Sequence, residues 1–181
     1  MYLKFKKIEE GFTIVETLIV LAIAALIITI VLIAVPNLQR SARNTNMLHD
    51  AQDIASAIQT FESNNQGSLP SVSSISNSSG TITLSLATTG GSTNTGAEST
   101  AKVQSGDIVT GTNFSSSAIN YSAAVINGST TQVGPGTIVV MSGALCGTTG
   151  SSQTPTQNSR AVAIFYPIES GGSGSVGCVQ A

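Results

Sequence analysis

One carboxylate stands alone in the first third of this 181-residue chain: from Phe12 to Val35 the only charged side chain is Glu16. A charge within an apolar helix costs roughly 2.5 kcal/mol or more near the centre of a bilayer. Such an acid has to stay at the interface or meet a cation. The other groups able to do chemistry are few. His49 is the only histidine, with Asp50 and Asp53 beside it. With no second His and no metal-spaced His/Cys set, it reads as a polar helix face and not as a metal site. Serines abound, but no nucleophile elbow or ordered base accompanies them. Glu98 and Asp107 are too isolated to argue as an acid–base pair. Gly90-Gly91 and Gly171-Gly172 belong to polar runs and do not make a phosphate loop. The expectation is a non-catalytic chain without cofactor or metal.

The element that must position Glu16 is a hydrophobic helix. Residues 1–11 form a short leader with Lys4, Lys6 and Lys7, and Gly11-Phe12 is its junction with the apolar run. At about 1.5 Å per residue, residues 12–35 span roughly 36 Å, enough for a bilayer core of about 30 Å. The lysines before the run place the leader in the cytoplasm and the rest of the chain outside. The run is longer than an ordinary secretory h-region, and no small-residue cleavage site clearly follows it, so it reads as retained. Pro36 removes a backbone hydrogen bond and predicts a helix break near Ala34–Asn37.

Residues 36–66 read as a second, amphipathic helix. Met47, Ala51, Ile54, Ile58 and Phe61 lie on one stripe, widened by Ala55, while Gln52, Asp53, Gln59 and Glu62 lie largely off it. Asn64-Asn65-Gln66-Gly67 and Pro70 end it. Arg40 and Arg43, just past the membrane exit, are expected to anchor at the interface.

Residues 67–181 read as variable loops and a small β-sheet region. Thr81–Leu86 alternates as a strand, and the polar stretches 71–80 and 88–106 read as loops. Ile119–Ile126, Asn127-Gly128 and Ser129–Val133 predict a hairpin with a tight turn. Thr137–Met141 and Ala161–Ile168 are apolar strands, residues 147–159 a polar loop, and Gly171–Ser175 a flexible tail. Cys146 and Cys178 both fall in the exported part, where a pair is expected to be bridged; two unrelated thiols are the alternative. The bridge would contribute about 3–4 kcal/mol in the chain-entropy model.

At Gly11-Phe12-Thr13 and Glu16, with the apolar helix directly behind, the chain resembles the type IV pilin family, which includes the pseudopilins of type II secretion and competence systems. Past the helix the resemblance extends only to the architecture and the late cysteine pair. It implies an α+β, pilin-like fold: a long N-terminal helix, apolar then amphipathic, packed on a small antiparallel sheet closed by a C-terminal disulfide. It implies a prepilin, cut between Gly11 and Phe12 by a prepilin peptidase and N-methylated on Phe12. The mature chain would move from the membrane into a homo-oligomeric helical filament, using an assembly ATPase and a platform protein. In that filament Glu16 would meet the Phe12 amine of a neighbour and set the register.

The implied destination is a cell-surface pilus for adhesion, motility or DNA uptake. A pseudopilin is the alternative, and a membrane-anchored binding domain that never polymerises is the third reading. No loop of clustered Asp near the C-terminus points to the calcium site of a secretion pseudopilin. Removing the leader takes three lysines and two glutamates from 7 basic and 9 acidic residues, leaving 4 and 7, net −3. After Arg43 only Lys102 and Arg160 remain as basic residues, so nucleic acid is not a favoured partner.

Overall fold

The computed structural model describes residues 11–70, 75–78, 80–84, 99–104, 106–124, 128–148 and 150–181. Residues 1–10 of the expected leader lie outside these, as do Ser85 and Leu86 of the alternating strand and the Val125–Asn127 part of the expected hairpin. The first element is α1 (Ile14–Asn64). Among the described residues ten strands follow: β1 (Ile75–Ser78), β2 (Thr81–Leu84), β3 (Ser99–Lys102), β4 (Ile108–Asn113), β5 (Ile119–Tyr121), β6 (Gln132–Val133), β7 (Thr137–Leu145), β8 (Ser152–Gln153), β9 (Thr156–Ser170) and β10 (Ser173–Gln180). The chain divides into one unit up to Gln39 and another from Arg40 to Ala181.

Pro36 does not end the helix. It lies inside α1, and the helical run continues on both sides. Proline costs the Leu32 carbonyl its helical donor, a loss of one bond that a long helix absorbs as a local defect without ending. The helix stops where expected. Gln66 takes a left-handed φ of 57°, and the Gly67 N–H reaches back to the Glu62 carbonyl at 2.7 Å, the 6→1 bond of a Schellman end.

In the second unit a four-stranded sheet runs in the order β10-β9-β7-β4. It is mixed and not wholly antiparallel, because β4 lies parallel to β7. Two three-stranded sheets accompany it, β1-β2-β3 and β6-β5-β8. The central strands read as continuous apolar runs because they are buried on both faces. Ile138, Val140, Val162, Ile164 and Tyr166 belong to one core cluster with Met47, Ala51, Ile54, Ile58 and Phe61 of α1. The alternate residues Val139, Met141, Ala163 and Phe165 form a second cluster with Ile119, Val133 and Val176. The period of two along β7 and β9 thus sends one set of side chains to the helix and the other to the small sheet.

Three expectations about the β region change. The hairpin over 119–133 is absent, since β5 and β6 pair in parallel, Asn120 with Gln132 and Tyr121 with Val133. Ile119 and Val133 are both fully buried in the second cluster, and that shared burial outweighs the direct return a two-residue turn would give. The tail at 171–175 is also not loose. Gly171 and Gly172 have φ of 49° and 100°, the two positive values that a tight hairpin turn requires. They start β10, which pairs with β9 from Ser173–Ser170 to Gln180–Ala163. Along that pairing Gly177 lies under the ring of Tyr166, where a Cβ would run into the aromatic carbons. Third, three stretches expected as loops carry strand: β1 falls within 71–80, β3 within 88–106, and β8 with the start of β9 within 147–159.

Candidate functional site

The helix that carries Glu16 begins with a reciprocal cap. The Thr13 N–H donates to Glu16 Oε2 at 2.9 Å, and the Thr13 hydroxyl donates to the same oxygen at 2.8 Å. In return the Glu16 N–H reaches Thr13 Oγ1 at 3.3 Å. This is a capping box, in which each of the two side chains accepts the other residue's backbone N–H and so satisfies two of the orphan donors of a helix start. The expected acid therefore has partners within its own chain. Its sequence signature is Thr three residues before Glu ahead of an apolar run.

Around this cap the surface is open. Phe12 is 89% exposed, and a Cβ at Gly11 would have no heavy atom within 4 Å. Gly11 and Phe12 are both exposed. Behind it the large apolar residues of α1 from Ile14 to Leu38 are all exposed. They surround the helix and do not form a stripe. A helix apolar all round needs lipid or other helices as its environment. It is long and apolar enough to cross a membrane, and it stands near the N-terminus, which is compatible with a single-pass anchor.

Past the apolar stretch, α1 is fixed to the sheet by polar contacts that the sequence did not signal. Arg43 Nη2 and Glu169 Oε2 are 2.6 Å apart, with Nε also within reach of the carboxylate at 3.1 Å. Instead of only anchoring at an interface, Arg43 is paired within the unit. The adjacent Asn44 acts as a short piece of strand. Its Nδ2 donates to the Glu169 carbonyl at 3.0 Å and its Oδ1 accepts the Glu169 N–H at 2.8 Å. His49 is exposed, whereas Asp50 is buried. Among the described residues no three His, Cys, Asp or Glu side chains gather as a metal set.

At the other end of the unit Cys146 and Cys178 are joined by a disulfide. Beside it the β7–β9 pairing slips between Ser142 and Ala144. Gln180 fills that irregularity. Its Oε1 accepts the Cys146 N–H at 2.9 Å, and its Nε2 donates to the carbonyls of Ala144 and Val162 at 3.2 and 2.8 Å. The side chain supplies hydrogen bonds that the shifted ladder leaves open.

The structure thus gathers Gly11, Phe12 and Glu16 at one helix start, places Pro36 within the apolar stretch of the same helix, and sets the Cys146–Cys178 bridge in the second unit. The chain matches no protein-family model, and neither a curated protein nor a solved structure matches it significantly.

Proposed function

We propose that this chain is a structural, non-catalytic subunit of a type IV pilus, stored in the membrane as a prepilin and built into a surface filament through α1. The observation that carries this reading is an apolar helix surface left uncovered on every side, with its single acid held in the first turn. An all-apolar helix can pass from lipid to a bundle of identical helices at little cost, because both surroundings are apolar. The exposed Gly11–Phe12 peptide suits cutting by a membrane peptidase. The cut would leave Phe12 as the new N-terminus, directly before the capping Thr13. Glu16 would then meet the Phe12 amine of a neighbouring subunit. The second unit would form the outer face, and its bridge at Cys146–Cys178 suits an oxidising exterior.

A second reading rests on the capping box. Because Thr13 already satisfies Glu16, the acid has a purpose in a lone helix, as a membrane-anchored binding domain would need. Two measurements separate these readings. Intact mass and N-terminal sequencing of the protein from its native cells should find a chain starting at N-methylated Phe12. A chain starting at Met1 in cells with an active prepilin peptidase leaves the anchored domain. Glu16→Gln keeps a capping box but removes the charge. Filaments lost in both Glu16→Gln and Glu16→Ala support charge pairing between subunits. Filaments that survive Glu16→Gln assign the acid to the cap alone.

A further inference from the structure

Asp50 interrupts the apolar stripe of α1 between Met47 and Ala51 and is only 6% exposed. A buried carboxylate is costly unless its oxygens are hydrogen-bonded. One oxygen, Oδ2, accepts the backbone N–H of Gln104 at 2.9 Å. The carbonyl of the same Gln104 accepts the Asp107 N–H at 3.1 Å, closing the turn that leads into β4. From that turn the Asp107 carboxyl faces the Asp50 carboxyl, close enough for a hydrogen bond between them once one of the two carries a proton. The next residue, Ile108, donates its N–H to the Gly136 carbonyl at 2.8 Å, which joins the start of β4 to the turn before β7. A Cβ at Gly136 would lie 3.4 Å from Asp107 Oδ1. Helix α1, the turn into β4 and the turn into β7 therefore converge on two carboxyl groups.

Two carboxyls bond to each other only when one of them carries a proton, since a carboxylate has no donor. Burial, with the hydrogen bond and charge of Asp50 added to it, pushes the Asp107 carboxyl up to about 7. His49 and Asp53 on α1 and Lys102 at the end of β3 are exposed, and Gly136 and Thr137 on the β7 side carry no charge.

We propose that Asp50 and Asp107 form a proton-linked clasp, which holds the turn before β4 on α1 while one proton is shared and loosens it when both carboxyls ionise. Nothing in it depends on filament assembly. Asp107 in the folded chain keeps a proton that the unfolded chain, with its ordinary value of 3.8, has already released. The stabilisation is thus complete below about pH 4, falls as pH rises towards about 7, and is gone above that.

The test is urea unfolding of the full chain in mild detergent between pH 5.5 and 8.5, followed by tyrosine fluorescence, for wild type and Asp107→Asn. The wild-type unfolding constant should rise on the order of tenfold across this window, while Asp107→Asn, which keeps a donor facing Asp50, gives a flatter profile. His49 is common to both proteins, so their difference isolates the pair. Equal slopes overturn the clasp. Carboxyl-carbon NMR of aspartate-labelled wild type gives an answer even if the variant does not fold. One Asp carboxyl should titrate two or more pH units above the ordinary Asp range, and the Gln104 amide signal should move with it. If every Asp titrates in the ordinary range, the proposal is wrong.

Discussion

The two parts of α1 are alike in secondary structure and opposite in environment. Up to Leu38 its large apolar side chains are exposed all round; from Met47 to Phe61 a single stripe is buried against β7 and β9. Hydrophobicity alone does not decide which part belongs to the folded core. The decisive property is the width of the apolar surface. A stripe matches one sheet face, and a cylinder matches only a surrounding medium or a ring of other helices. Polar groups follow the same division. Among the described residues Glu16 is held locally, three residues from its partner Thr13, whereas Asn44 and Asp50 reach across long stretches of sequence.

This contrast can be broken most directly by truncating one side chain in each part. Phe61→Ala should cost the second unit about 3–5 kcal/mol, the usual range for a fully buried aromatic, read as a lower urea midpoint. Ile27→Ala should leave that midpoint within about 0.5 kcal/mol. Equal shifts in the two variants would show that the parts are not energetically distinct.

The covalent tie gives a second test. Reducing the Cys146–Cys178 bridge, or replacing both with Ser, should lower the stability of the second unit by about 2–4 kcal/mol. Flotation of the chain with membranes should be unchanged. A loss of membrane association on reduction would mean that the apolar stretch depends on the fold behind it.

The smallest effects sharpen the contrast at the start of the folded part. Asn44→Ala strips Glu169 of two backbone partners and should cost about 1–2 kcal/mol. Arg43→Ala removes an ion pair whose arginine is 51% exposed and should cost under about 1 kcal/mol. Urea midpoints in that order support the view that Asn44, by completing the edge of β9, matters more than the visible salt bridge. The reverse order would assign the junction to charge.

Much of this molecule was legible before its coordinates. The buried stripe from Met47 to Phe61 follows from a period of 3.6, the helix end at Asn64 from the turn residues behind it, and the strands around Val139 and Ile164 from short continuous apolar runs. The cap at Thr13 and Glu16 is equally local, a Thr three residues before a Glu. Asp50 is legible as a charge on an apolar stripe, although its partner is not.

Residue order by itself determined the helical character of the first third and its division into an all-apolar stretch and an amphipathic one, because neighbours along the chain supply those signals. Only the tertiary structure decided that Cys146 joins Cys178, that β5 and β6 run in parallel, that Gln180 completes a slipped ladder, and that Asp50 meets Asp107. Those outcomes depend on contacts between residues far apart in sequence. They form only when burying both faces of one sheet repays the entropy of closing the chain.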